Sequence, residues 1–116
     1  MKGYFKRSEV VQPARESRMT AEYEQNYAEL ILTLNRIRED WGKPLIINSG
    51  FRPDDTGRHG RCNAVDIRDF TGDFYKWLIK YLDKYGISVE DRRYTPTYVH
   101  LDREKRGGIW KVFIPY

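Results

Sequence analysis

The chain contains only two histidines, His59 and His100. Asp66 follows the first of them by seven residues, in the segment His-Gly-Arg-Cys-Asn-Ala-Val-Asp. Two imidazoles and one carboxylate are a ligand set that suits Zn²⁺, and they leave a fourth coordination position open. An open position is typical of catalytic rather than structural zinc, because it holds the water that reacts. These residue types therefore indicate metal-assisted hydrolysis.

The same residues also allow a simpler interpretation. A buried histidine is often only hydrogen-bonded, and Asp66 could pair with Arg52 or Arg68. Seven extended residues would hold His59 more than ~20 Å from Asp66. Both can reach one ion only if Gly60 and the residues after it bend the chain back.

Two helices are predicted around these residues. Thr20 is a plausible N-cap, Gly42 and Pro44 end the first helix, and the second begins near Thr71 and stops at Gly86. Apolar residues recur at three- and four-residue spacing in both helices. The stripe of the first is Tyr27, Leu30, Ile31, Leu34, Ile37 and Trp41, and that of the second is Phe74, Trp77, Leu78, Tyr81, Leu82 and Tyr85.

Short strands are predicted over 45–49, 63–68, 87–90, 97–102 and 109–114. Side chains alternate along a strand, so His100 and Asp102 share one face while Val99 and Leu101 face the other way. The last two strands are too close for a parallel crossover and are predicted to be antiparallel, with 103–108 as a hairpin connection. The prediction is an α+β domain with a small, mainly antiparallel sheet and helices packed on it.

Length and composition limit the alternatives. The 116 residues fit one domain, which we predict over 20–116, preceded by a polar N-terminal arm over 1–19. A net charge of +4 favours an anionic partner, but no Lys/Arg tract supports nucleic acid. No membrane span and no secretory signal are recognisable. We expect a monomer made in the cytoplasm that acts on a cell wall only after release.

Three short motifs occur in order along the chain. They are Ser49-Gly50-Phe51-Arg52, then His59-x-x-Cys62-x-Ala64-x-Asp66, then Tyr98-Val99-His100-Leu101-Asp102. They resemble the S-G-[YF]-R, H-x-x-G-x-A-x-D and H-x-D-like elements of the M15 family of zinc D-alanyl-D-alanine peptidases, above all its small phage-associated and cell-wall branch. The resemblance covers about 43–110. It implies the fold that this family shares with the Hedgehog signalling domain.

The resemblance also implies roles for individual residues. The family's zinc ligands fall on His59, Asp66 and His100. Arg52 matches an arginine that binds substrate or stabilises the oxyanion, a role that suits a permanently charged fork of donors. Ser49 matches a motif serine in substrate binding, although it could equally be a turn residue.

Two positions depart from the family pattern. Cys62 stands where the family has glycine; we interpret it as a bystander, while a role as a competing zinc ligand stays open. Many members carry a general base three residues before the last histidine, where this chain has Thr97. Asp102 is the first choice as base, with Glu90 and Asp91 next. Asp102 could instead orient His100 through the other ring nitrogen.

The function that the sequence predicts is a zinc metallopeptidase of the D-Ala-D-Ala carboxypeptidase or endopeptidase type. Its substrate would be a peptide bond in the stem or cross-link peptides of peptidoglycan. The main alternative is a non-catalytic domain on the same scaffold that binds cell wall or a partner protein. A small phage-derived nucleic-acid binder is a third possibility.

Overall fold

The computed structural model describes residues 3–55 and 59–115, and the side chain of His59 lies outside the described part. Helices and strands alternate in a way that confirms the predicted α+β class. The helices are α1 (Arg7–Val10), α2 (Ala21–Trp41), α3 (Asp73–Leu78) and α4 (Leu82–Tyr85). The strands are β1 (Ile47–Ser49), β2 (Ala64–Arg68), β3 (Ser88–Glu90), β4 (Tyr98–Asp102) and β5 (Val112–Phe113). Within the described residues, no helix combines the length and apolar character needed to cross a membrane.

Helix α2 forms where the sequence predicts it. The Thr20 hydroxyl accepts a hydrogen bond from the Tyr23 amide, which satisfies one of the free N–H groups of the first turn. Gly42 ends the helix with φ +78°, a conformation that glycine adopts without a Cβ clash. The apolar stripe buries Leu30 and Leu34 completely against the sheet side of the core.

The second predicted helix is interrupted. A 3₁₀ turn over Ile79–Tyr81 separates α3 from α4. The apolar stripes of the two predicted helices meet, since the Trp77 ring lies 5.1 Å from the Trp41 ring of α2. Gly86, with φ +66°, ends α4.

The five strands form one sheet in the order β1-β2-β4-β3-β5. The pairs β1–β2, β2–β4 and β3–β4 are antiparallel, whereas β3–β5 is parallel. Strand β4 is central, and its Val99 and Leu101 are fully buried in the core. The alternation predicted for this strand is therefore confirmed.

The predicted hairpin between the last two strands is wrong. Strand β5 pairs with β3 and not with β4, because β2 and β3 already occupy both edges of β4. The connection instead contains a tight turn closed by a bridge between Arg106 and Ile109. Gly107 and Gly108, with φ +62° and +80°, supply the left-handed backbone of that turn. The predicted strand 109–114 shrinks to Val112–Phe113.

The N-terminal segment packs into the same core as the rest of the chain. It contains α1 and a 3₁₀ segment over Pro13–Arg18. Val10 and Val11 are buried, and the Val10 carbonyl accepts a hydrogen bond from the Phe51 amide at 2.8 Å. A side chain at Gly50 would overlap the Val10 backbone, which explains the glycine at this contact. The boundary between an arm and a domain at residue 20 stays a prediction.

Candidate active site

One row of residues crosses the sheet on the face opposite the buried Val99 and Leu101. Ser49 of β1 pairs with Asp66 of β2, after a register shift in β1, and Asp66 pairs with His100 of β4. Strand β3 pairs Val89 with Leu101, so the next residue, Glu90, lies opposite His100. Glu90 pairs in turn with Phe113 of β5. Side chains directly opposite one another share a face, so the row brings chemically active groups from four parts of the sequence together. Its members are Ser49, Asp66, His100, Glu90 and Phe113.

Asp66 and His100 are in direct contact. The His100 Nδ1 atom lies 3.0 Å from Asp66 Oδ1, and the two side chains are only 13% and 11% exposed. The sequence allowed Asp66 to pair with Arg52 or Arg68; the structure shows a contact with His100. A nearly buried carboxylate needs such a partner.

The second ring nitrogen of His100 faces Asp102. Nε2 lies 3.2 Å from Asp102 Oδ2. Asp102 is fully buried, and both of its oxygens also accept hydrogen bonds from Arg106, at 2.6 and 2.8 Å. Carboxylates that accept from the outer nitrogen of a ligand histidine fix its ring orientation. Asp102 has the geometry of that orienting partner.

The two carboxylates determine the protonation of His100 in the metal-free protein. Burial lowers the pKa of its imidazolium, but the hydrogen bonds to Asp102 and Asp66 outweigh burial and raise the pKa to about 9. Burial raises the pKa of Asp102, but the interactions with His100 and Arg106 outweigh burial, so the net shift is downward. Without a metal, His100 therefore keeps its proton at neutral pH, held between the carboxyl groups of Asp66 and Asp102.

Glu90 lies in a different environment. Burial raises the pKa of this half-buried carboxyl above its ordinary value; the charges of Asp66 and Asp102 add to the rise, and those of His100 and Arg106 oppose it. A carboxyl whose pKa is shifted toward neutrality is suited to take up and release a proton. Sequence reasoning placed Glu90 only as a second choice, because its position opposite His100 depends on the strand register.

The backbone before β2 bends back, as the metal hypothesis required. His59–Arg61 form a 3₁₀ turn, and Cys62 follows with φ +58°. A side chain at Gly60 would overlap the Asp55 carbonyl oxygen, so the turn packs closely on the preceding loop. The predicted ligand His59 has its side chain outside the described residues. The positive φ at Cys62 explains why the resembling motif has glycine there.

Cys62 is a buried thiol. It is fully inaccessible within the hydrophobic core. Burial raises the pKa of the thiol to about 12, although the charge of Arg7 opposes the shift. A thiol must lose its proton to bind zinc. These properties favour the interpretation of Cys62 as a bystander.

Arg52 lies beside the row rather than in it. Its Nε atom is 3.5 Å from Asp55 Oδ2, and within the described residues this buried nitrogen makes no hydrogen bond. Its side chain lines a cavity of about 260 Å³ together with Arg15 and Pro53. Its charge also lowers the pKa of the Tyr98 phenol, which burial, Asp66 and Glu90 raise. The guanidinium is therefore within electrostatic range of the His100 strand.

The structure thus brings together Ser49, Asp66, His100 and Asp102, and places Arg52 at their margin. Two residues near the cluster, Arg106 and Phe113, were not identified from the sequence, since no local motif links them to His100. Within 3–55 and 59–115, leaving aside the His59 side chain, no group of three metal-binding side chains is found. The adjacent imidazole and carboxylate of His100 and Asp66 are nevertheless donor types that Zn²⁺ prefers.

A comparison with protein-family models identifies the family of the chain. A family model described as Peptidase M15 matches residues 3–102. No curated protein and no solved structure matches the chain significantly. The match covers most of the chain, including α1, both central strands and every residue of the predicted ligand set. The chain therefore belongs to the peptidase M15 family.

Proposed function

We propose that this protein is a zinc-dependent peptidase that hydrolyses a peptide bond in the stem or cross-link peptides of peptidoglycan. The observation that carries the proposal is the contact between His100 Nδ1 and Asp66 Oδ1, 3.0 Å apart on one face of the central strands. An imidazole and a carboxylate from distant parts of the sequence meet there with little exposure to solvent.

Zinc would be held by His59, Asp66 and His100. The ion, when bound, supplies the Lewis acidity that activates water and polarises the scissile carbonyl. His100 would contribute Nδ1, because Nε2 is directed at Asp102. Metal binding at Nδ1 requires this nitrogen to lose its proton. The Asp66 carboxylate already faces that atom.

The proton-transfer role is assigned to Glu90. It takes a proton from the attacking water and returns it to the leaving amine. Asp102 was the first choice from the sequence, but its two oxygens are engaged by Arg106 and His100. The other role that the sequence left open for Asp102, orienting His100, agrees better with these contacts.

Substrate binding is assigned to Arg52 and Ser49. The Arg52 guanidinium, permanently charged, would stabilise the oxyanion or bind a substrate carboxylate. Ser49 pairs with Asp66 at the β1 end of the row and can offer a hydroxyl to the peptide. The net charge of +4 favours approach to an anionic wall polymer.

Digestion of purified muropeptides tests the proposal. We expect cleavage by the metal-loaded protein, loss of cleavage after dialysis against a chelator, and recovery when zinc alone is added back. The products identify the bond, since a carboxypeptidase releases a terminal D-alanine and an endopeptidase separates cross-linked stems. Undiminished cleavage in the chelator-treated, metal-free protein contradicts the proposal. So does a protein that binds zinc stoichiometrically but cleaves none of the stem and cross-linked substrates, which would favour a non-catalytic binding domain.

A further inference from the structure

Arg106 holds Asp102 by both of its carboxylate oxygens. Its two terminal nitrogens donate to Oδ1 at 2.6 Å and to Oδ2 at 2.8 Å, and one of them also donates to the Glu104 carbonyl at 3.1 Å. Two parallel hydrogen bonds fix the plane of a carboxylate, which a single contact does not. The direction in which Oδ2 can accept a further hydrogen bond is therefore fixed as well.

Arg106 is itself fixed by an aromatic ring. Its guanidinium carbon lies 3.5 Å from the centre of the Phe113 ring. The same ring meets the imidazole of His100 edge-on, with centroids 5.8 Å apart and planes at 83°. The contacts close into a circuit through His100, Asp102, Arg106 and Phe113, which leaves each member little rotational freedom.

Other arginine–carboxylate pairs nearby differ from this one. Arg103 donates to Glu29 at 2.8 Å, but that glutamate is half exposed on α2. Arg61 bonds the partly exposed Glu104. Asp102, by contrast, is fully buried, and its Oδ2 atom contacts both Arg106 and His100. Exposed pairs contribute little to stability, whereas this one is buried and directed at a predicted metal ligand.

We propose that Arg106 is a positioning residue for the metal site: it acts through Asp102 to hold the His100 ring with Nδ1 turned toward Asp66. This inference rests on the proposed zinc site. Arg106 donates no electron pair to the ion, yet metal affinity depends on it. Partners beyond the ligands typically change metal affinity by about 10- to 100-fold, and Arg106 is one contact further out.

Binding of Co²⁺ alone tests this role, because its visible absorption bands report the geometry around the ion and need no substrate. We expect Arg106→Gln to weaken Co²⁺ binding by roughly tenfold or more and to change the band shape. Arg106→Lys, which cannot hold both oxygens, should fall between that variant and the wild type. The matched control is Arg103→Gln, which removes a similarly buried arginine from the same loop and should bind Co²⁺ like the wild type.

A double-mutant cycle separates positioning from a general loss of stability. In an Asp102→Asn background the buried charge is gone, so Arg106→Gln leaves no unpaired carboxylate there and should weaken Co²⁺ binding no further. This background also serves if Arg106→Gln alone does not fold. An equal loss in both backgrounds overturns the inference, as does wild-type affinity and spectrum in Arg106→Gln.

Failure of the zinc site itself gives a different result. A wild-type protein that binds no Co²⁺, or a His100→Ala variant that binds it normally, contradicts the proposed function and the inference together. Tight wild-type binding that is lost in His100→Ala but kept in Arg106→Gln contradicts the positioning role alone.

Discussion

The His100 Nδ1 atom and the Asp66 Oδ1 atom lie 3.0 Å apart across the antiparallel pair β2–β4, although 34 residues separate them in the sequence. The pair sits on the face opposite the fully buried Val99 and Leu101. A polar pair is thus held on a rigid central strand whose other face is packed into the core. Such placement gives a metal or catalytic group a fixed geometry.

Glu90 is expected to be essential for turnover but not for metal binding. Glu90→Gln keeps the size of the side chain and removes its ability to accept a proton. It should lower kcat by about 10²- to 10⁴-fold, the usual contribution of a positioned base, with zinc content unchanged. Steady-state hydrolysis and metal analysis of the same sample measure both quantities.

Asp91→Asn is the matched control for Glu90. The Asp91 carboxylate accepts hydrogen bonds from the amide and the guanidinium of Arg93, so it is directed away from His100. Its replacement should leave kcat near the wild-type value. The assignment of the base to Glu90 is wrong if Asp91→Asn abolishes turnover while Glu90→Gln does not.

Arg52 is expected to act on the substrate. Removing one donor from an oxyanion site typically costs about 10²- to 10³-fold in rate, so Arg52→Gln should reduce kcat/KM by that order. Arg52→Lys should recover part of the loss, because it keeps the charge without the fork of donors. Arg18→Gln, which removes the exposed pair with Asp54, is the control; equal losses in Arg18→Gln and Arg52→Gln would rule out a specific role.

Stability of the metal-free protein should depend on pH through His100. Its pKa is raised from 6.5 to about 9 in the folded state. A raised pKa contributes stability that is complete below pH 6.5 and is lost as the pH rises through about 9. The difference in free energy of unfolding between wild type and His100→Gln should therefore shrink over this window, by at most about 3 kcal/mol.

Urea denaturation of both proteins at several pH values measures this difference, and titratable groups that do not interact with His100 cancel between the two chains. A difference that stays constant between pH 6 and pH 10, or that grows with pH, contradicts the charged imidazole between Asp66 and Asp102. Metal binding should show the opposite trend, with affinity rising over the same pH window, since the ion competes with the Nδ1 proton.

Replacing Cys62 by glycine is expected to lower the stability of the protein less than replacing it by alanine. Its φ of +58° costs any residue with a Cβ about 1–2 kcal/mol, and glycine removes that cost. Cys62→Ala loses the buried sulfur and keeps the backbone strain, so it should be less stable than Cys62→Gly. Both variants should keep the zinc content of the wild type. Loss of zinc in both would identify the thiol as a ligand instead.

Local signals predicted α2 and the faces of the strands. Thr20 and Gly42 bracket α2 because capping acts within a few residues, and the alternation around His100 is a property of the strand alone. Which strands pair with one another, by contrast, does not depend on local sequence. The choice of β3 rather than β4 as partner of β5 depends on which sheet edge is free, which short-range spacing does not reveal.

In the candidate site, too, the sequence indicated the residue types, whereas the contacts between them depend on the fold. The residue types of His59, Asp66 and His100, with their motif context, indicated a metal. The position of Glu90 opposite His100 required the β3–β4 register, and the contact of Arg106 with Asp102 required the turn after β4. Asp102 was placed on the correct face, but its burial and double pairing, which favour the orienting role, are not visible in a sequence.

Zinc stoichiometry is the most direct test of the metal site. Wild type, Asp66→Ala and His100→Ala would be purified identically, dialysed against buffer with trace zinc, checked for folding by circular dichroism and analysed for metal. The account predicts one zinc per wild-type chain and essentially none in either folded variant. A wild-type protein without zinc, or folded variants that retain it in full, would contradict the proposal that Asp66 and His100 hold the ion.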